Sequence, residues 1–88
     1  MIHNYEEALL EHIDSMVETA TDDELFASGY LRGHISLAAA DCEVEGINDL
    51  DVFRQRVVSS LKENANELSP TDQAIVGSLW ETLQANVN

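Results

Sequence analysis

An all-α fold, an antiparallel four-helix bundle, is what this sequence predicts, and three observations carry it. Apolar residues recur at spacings of three and four along almost the whole chain, and no run alternates as a half-buried strand would. One proline and four glycines leave few breaks. The breaks that do occur carry helix start and stop chemistry, and they are short, which favours antiparallel neighbours in up-and-down order. An irregular orthogonal bundle is the alternative for helices this short. The 88 residues suit one small helical domain, 1–88.

The first helix is expected over about 4–20, with Leu9, Leu10, Ile13, Met16, Val17 and Ala20 inward. Glu7, Glu11, Asp14 and Glu18 follow at four, three and four and form an acidic row on the other side. Like charges at this spacing oppose a helix slightly, so packing of the apolar face must outweigh them. "TDDE" restarts the chain: Thr21 with Glu24 makes a capping box, and Asp22 and Asp23 suit the positive end of the helix dipole.

The second helix, about 22–44, carries two apolar stripes. Phe26, Tyr30, Gly33, Leu37, Ala40 and Val44 make one; Leu31, Ile35, Ala38 and Cys42 make the other, nearly opposite. A helix apolar on two faces is expected to be buried on both, which places it in the middle of the bundle. Gly46 suits its end, and Asn48 or Asp49 the start of the third helix, about 49–67. There Leu50, Phe53, Val57, Val58, Leu61 and Ala65 face inward, and Arg54, beside them, should reach outward past its own stem. "LSPTDQ" opens the fourth helix, about 70–86: Ser69 caps, Pro70 takes the first position and Asp72 the first turn. Val76, Leu79, Trp80 and Leu83 are its apolar side.

Two stretches carry a family resemblance. "DDELFASGYLRGH", residues 22–34, resembles the signature of the YfcL-like proteins, and "ELSPTDQAIVGSLWETL", residues 67–83, is similar to that family's second block. The resemblance extends over nearly the whole chain and is loosest over 35–66. It implies a small acidic helical protein of the bacterial cytoplasm. It implies no activity and transfers no functional residue.

Charge narrows the partners. Seventeen acids face four bases, for a net charge of −13. Such a surface repels phosphates and anionic membranes, so direct nucleic-acid binding and membrane association are not expected; a partner should be a basic protein. The simplest use of the acidity is solubility. The lone Cys42 allows no internal disulfide and fits a reducing, cytoplasmic setting. The acidic, amphipathic start lacks the basic and unbroken apolar segments of a signal peptide, and no stretch is apolar enough to span a bilayer.

The candidate residues cluster around "FASGYLRGH". A glycine inside a helix costs about 1 kcal/mol relative to alanine, so Gly29 and Gly33 call for a reason. A close helix crossing is favoured; a helix break after Ser28 and a ligand close to the backbone are the alternatives. Arg32 is expected in a solvated ion pair, with recognition of an anionic group as the sharper reading. His34 shares a polar edge with Asp23 and Asp41 and is expected to make a structural hydrogen bond, an Asp-oriented imidazole for acid–base work being the alternative. Metal binding is not expected: His3, His12, Asp41, Cys42 and Glu43 lack any ligand spacing. No cofactor is implied.

The favoured function is a non-catalytic acidic interaction module for a basic protein surface, using Glu7, Glu11, Asp14 and Glu18 or the surroundings of Arg32 and His34. A small-molecule binder or small enzyme around Tyr30, Arg32, His34 and Asp41 is one alternative. A structural homodimer through the glycine seam, or a nucleic-acid mimic, is another; a monomer is favoured over the dimer.

Overall fold

Capping chemistry sets where the helices begin and end. In the computed structural model, which describes residues 2–87, four α-helices follow one another: α1 (Ile2–Met16), α2 (Asp22–Glu45), α3 (Leu50–Glu63) and α4 (Pro70–Asn86). No strand occurs among the described residues. Thr21 and Glu24 form the reciprocal capping box: the Thr21 hydroxyl accepts from the Glu24 amide at 3.2 Å, and the Thr21 amide donates to the Glu24 carboxylate at 3.0 Å. That contact holds the Glu24 carboxyl below its ordinary value, the Thr21 amide being the main cause. Asp49 caps α3 by accepting from the amides of Asp51 and Val52, and Ser69 caps α4 by accepting from the Asp72 amide at 3.2 Å. Gly46 closes α2 in the left-handed region, φ 71°, where a side chain would be strained.

α1 and α3 each run antiparallel to α2. From α2 to α3, the Tyr30 hydroxyl donates to the Asn64 carbonyl, His34 meets Ser60, and Glu45 meets Arg56, so numbers rise on one helix as they fall on the other. From α1 to α2, Asp14 meets Arg32, while His3 and Glu6 line a cleft with Ala39 and Glu43. α4 packs chiefly on α2. One hydrophobic cluster joins all four helices through Leu9, Ile13, Leu31, Ile35, Phe53, Val57, Val76 and Leu83. Burying an apolar side chain of this size stabilises the fold by about 1.5–3 kcal/mol.

Four expectations need correction. α1 ends at Met16, and Val17–Thr19 forms a 3₁₀ turn that swings Val17 out to 40% exposure; Ile2 and Tyr5 complete the inner face instead. α3 ends at Glu63, with a 3₁₀ turn over Ala65–Glu67. There the Asn64 side chain donates to the Ser60 carbonyl at 2.8 Å, competing with the helix ladder, and Gln73 caps the carbonyls of Ala65 and Leu68.

The third correction concerns α2. It does touch all three other helices, but through one broad face: Ala27, Leu31, Ile35, Ala38, Ala39 and Cys42. The stripe through Phe26, Leu37 and Val44 faces out, at 49%, 52% and 87% exposure. A 24-residue helix with an alanine-rich inner face lets α1, α3 and α4 crowd onto that one side, so its back stays uncovered. The fourth follows from it: Gly29 and Gly33 sit on that open back, and a Cβ added at either meets nothing within 4 Å. They form no helix crossing. Neither do they interrupt α2, which is continuous through both.

Candidate functional site

The acidic row of α1 lies in solvent. Glu7, Glu11, Asp14 and Glu18 are all exposed, because Tyr5, Leu9 and Ile13 on the opposite face are drawn into the core. Two of the four are already engaged. Asp14 accepts from Arg32 Nε at 3.3 Å and from its Nη2 at 3.5 Å, in an ion pair between exposed side chains. Such pairs contribute on the order of 0–1 kcal/mol. Glu7 lies 3.3 Å from His3, one turn back along α1.

Arg32 and His34 diverge. Arg32 leans toward α1 and is held by Asp14. His34 turns toward α3, where its Nδ1 stands 2.5 Å from the Ser60 hydroxyl, a structural contact between two helices. Tyr30 lies on the same side as His34, with ring centres 4.6 Å apart, and stacks on Phe26 at 6.1 Å. Burial, then the nearby Glu67 carboxylate, pushes the Tyr30 hydroxyl above its ordinary value. Asp41 is exposed, nearly two turns beyond His34. Tyr30 and His34 therefore face α3 together, while Arg32 and Asp41 do not converge with them. A groove of about 230 Å³ beside Tyr30 is walled by Val58, Leu61, Val76, Gly77 and Trp80, and contains none of the other three.

Cys42 is fully buried, and that burial raises its thiol above the ordinary value, although Arg56 pulls the other way. A thiol kept protonated and covered is a poor nucleophile. Among the described residues no three His, Cys, Asp or Glu side chains gather as metal ligands. No helix there is long and apolar enough to cross a membrane.

The YfcL protein family matches residues 3–85. This chain belongs to the YfcL family. A relative described as "Uncharacterized protein YfcL", from Escherichia coli (strain K12), is 48% identical over 85 residues, 94% of this chain and 92% of the relative. No solved structure matches.

The YfcL-like stretch "DDELFASGYLRGH" is the first half of α2, and its glycines, Phe26 and Arg32 all lie on the outer side of that helix. Two features elsewhere in the molecule escaped sequence reasoning. One is the cleft between α1 and α2, about 670 Å³, where Ser36, Ala40 and Glu43 of α2 face His3 and Glu6 of α1. The spacing of Ser36, Ala40 and Glu43 at four and three is a legible flank, but only the α1–α2 pairing brings Glu6 to it. The other is the cluster of Tyr5, Phe53 and Arg54. The Arg54 guanidinium lies 5.0 Å over the Tyr5 ring, and its Nε donates to the Tyr5 hydroxyl at 3.3 Å. The long Arg54 stem does reach outward as its position predicts, and Asp51 meets it at 2.9 Å.

Proposed function

We propose that this YfcL-family chain is a non-catalytic acidic interaction module that holds a basic surface of a partner protein. The observation that carries this reading is the outward row of Glu7, Glu11 and Glu18 on a molecule of net charge −13. Glu11 and Glu18 have no ion-pair partner among the described residues, so their field is open to a partner. A row of this kind raises the encounter rate with a basic surface and holds it in a salt-dependent way. Tyr30 and His34 lie side by side, but Arg32 is held on α1 and Asp41 stands exposed further along α2, which supports binding over catalysis. The buried lone Cys42 suits a reducing cytoplasm.

Affinity capture from cell extract at low and high salt tests the reading. A basic protein should be retained at low salt and released at high salt, because screening shortens the reach of exposed charges to about 10 Å at 0.1 M. The triple variant Glu7→Gln, Glu11→Gln, Glu18→Gln should retain several-fold less of it at low salt. Absence of any partner at both salt concentrations contradicts the reading.

A further inference from the structure

We propose that the uncovered back of α2, together with the cleft it shares with α1, is the seat for a basic amphipathic helix of the partner. The proposal rests on the reading above in taking the partner to be basic; it adds to the α1 row a second contact surface, on which a helix of that partner is seated.

The ridge is the first observation. Phe26, Gly33, Leu37 and Val44 lie along one line of α2, over about 27 Å at 1.5 Å per residue. Phe26, Leu37 and Val44 are 49%, 52% and 87% exposed, although the core cluster lies directly behind this helix. Large apolar side chains exposed along one helix face, rather than scattered singly, point to an interaction surface. Gly29 and Gly33 leave open space where side chains would stand, so an incoming helix can approach the α2 backbone between the Phe26 and Leu37 side chains. The ridge is also braced: Phe26 stacks on Tyr30, whose hydroxyl donates to the Asn64 carbonyl.

The cleft is the second observation, and its charge selects the occupant. It borders the ridge at Ala40 and carries Glu6 and Glu43, with no lysine or arginine in its lining. His3 also lines it, 3.6 Å from Glu6, and Arg32, one turn before Ser36 on α2, is held by Asp14. An apolar ridge beside a glutamate-lined cleft complements a helix with leucine-like residues on one face and lysine or arginine along its edge. A second copy of this chain fits less well, since it would bring a further −13 charge against the same acidic flank.

The probe is a synthetic peptide of about 18 residues, long enough to match the ridge. It is built from leucine and lysine with the leucines at helical three–four spacing, and is titrated by fluorescence anisotropy. A scrambled peptide of the same composition is the control. The patterned peptide should bind and the scrambled one should bind at least about tenfold more weakly. Leu37→Glu, and separately the pair Glu6→Gln and Glu43→Gln, should each weaken binding about tenfold, the loss expected of a central contact. The α1 triple variant should weaken it by less than about threefold, as peripheral charges do. Circular dichroism of each variant checks that the helices are intact; all the substituted side chains lie at or near the surface.

No binding, equal binding of the scrambled peptide, or indifference to Leu37→Glu overturns the seat. So does a wild-type dimer in sedimentation that Leu37→Glu converts to a monomer, which would make a second copy the occupant. Loss in the α1 triple variant with silent ridge variants overturns this seat and leaves the α1 row standing as the binding surface. Loss in the ridge and cleft variants, with little change in the α1 triple variant, is the result the seat predicts; retention of the whole partner by the α1 triple variant is read separately in the capture experiment.

Discussion

Phe53→Ala removes most of the protein's stability and leaves it close to unfolding at ambient temperature. Phe53 is fully buried, and its ring meets Tyr5 edge-on, with centres 5.9 Å apart at 87°. Truncating a buried phenylalanine costs about 3–5 kcal/mol, from lost transfer energy and the cavity left behind. Domains are stable by only about 5–15 kcal/mol, and a chain this short belongs at the low end because it buries a smaller share of its surface. The cost spreads further here than in an average core. Tyr5 is positioned by Phe53, and Arg54 by Tyr5, so α1 and α3 lose their common anchor. Urea denaturation followed by far-ultraviolet circular dichroism measures the loss. Arg54→Ala, which removes the cation over the Tyr5 ring and leaves the core filled, should cost only about 0.5–1 kcal/mol. A Phe53→Ala protein within about 1 kcal/mol of wild type would contradict this picture of the core.

The second large effect runs the other way. Gly29→Ala combined with Gly33→Ala should raise stability by about 2 kcal/mol, since each glycine in a helix interior is about 1 kcal/mol worse than alanine. For a domain of this size that corresponds to a rise in Tm of about 8–16 °C. The gain depends on the space around the two positions, where an added Cβ meets nothing within 4 Å and the backbone is already helical. Alanine at Gly46 should destabilise instead, because φ there is 71°. A Tm that falls on filling Gly29 and Gly33 would mean that another backbone packs against them, as in the helix crossing that their spacing suggests.

That contrast shows what the sequence does and does not display. Local chemistry was legible because it is written within a few residues: Thr21 with Glu24, Gly46, Asp49, and Ser69 with Pro70 all act where their spacing places them. The buried faces of α3 and α4, through Phe53, Val57, Val76, Trp80 and Leu83, follow from three–four periodicity. α2 defeated that reasoning because it carries two apolar stripes. Periodicity says that a stripe exists, while neighbours arriving from distant parts of the chain decide which stripe is covered. Leu31 and Phe26 look alike in sequence; one is fully buried and the other half exposed.

The candidate site divides along the same line. The exposed row of Glu7, Glu11, Asp14 and Glu18 was visible as an acidic spacing on one helix. The pairing of Asp14 with Arg32, the turn of His34 toward Ser60, and the meeting of Glu6 with Glu43 across a cleft were not. Each joins residues at least 18 positions apart. Each depends on α1 and α3 flanking α2 antiparallel, a geometry that no local pattern encodes.

Which face of α2 is open can be read from thiol chemistry. Cys42 is the sole cysteine and is fully buried on the inner face, whereas Leu37 stands on the outer one. In dilute native protein, Cys42 should react with Ellman's reagent only as fast as the fold opens. A Leu37→Cys variant should show one thiol reacting at once and a second only on unfolding. A ready reaction of Cys42 in the native protein, or a Leu37→Cys thiol as protected as Cys42, would contradict an α2 that turns its back to solvent.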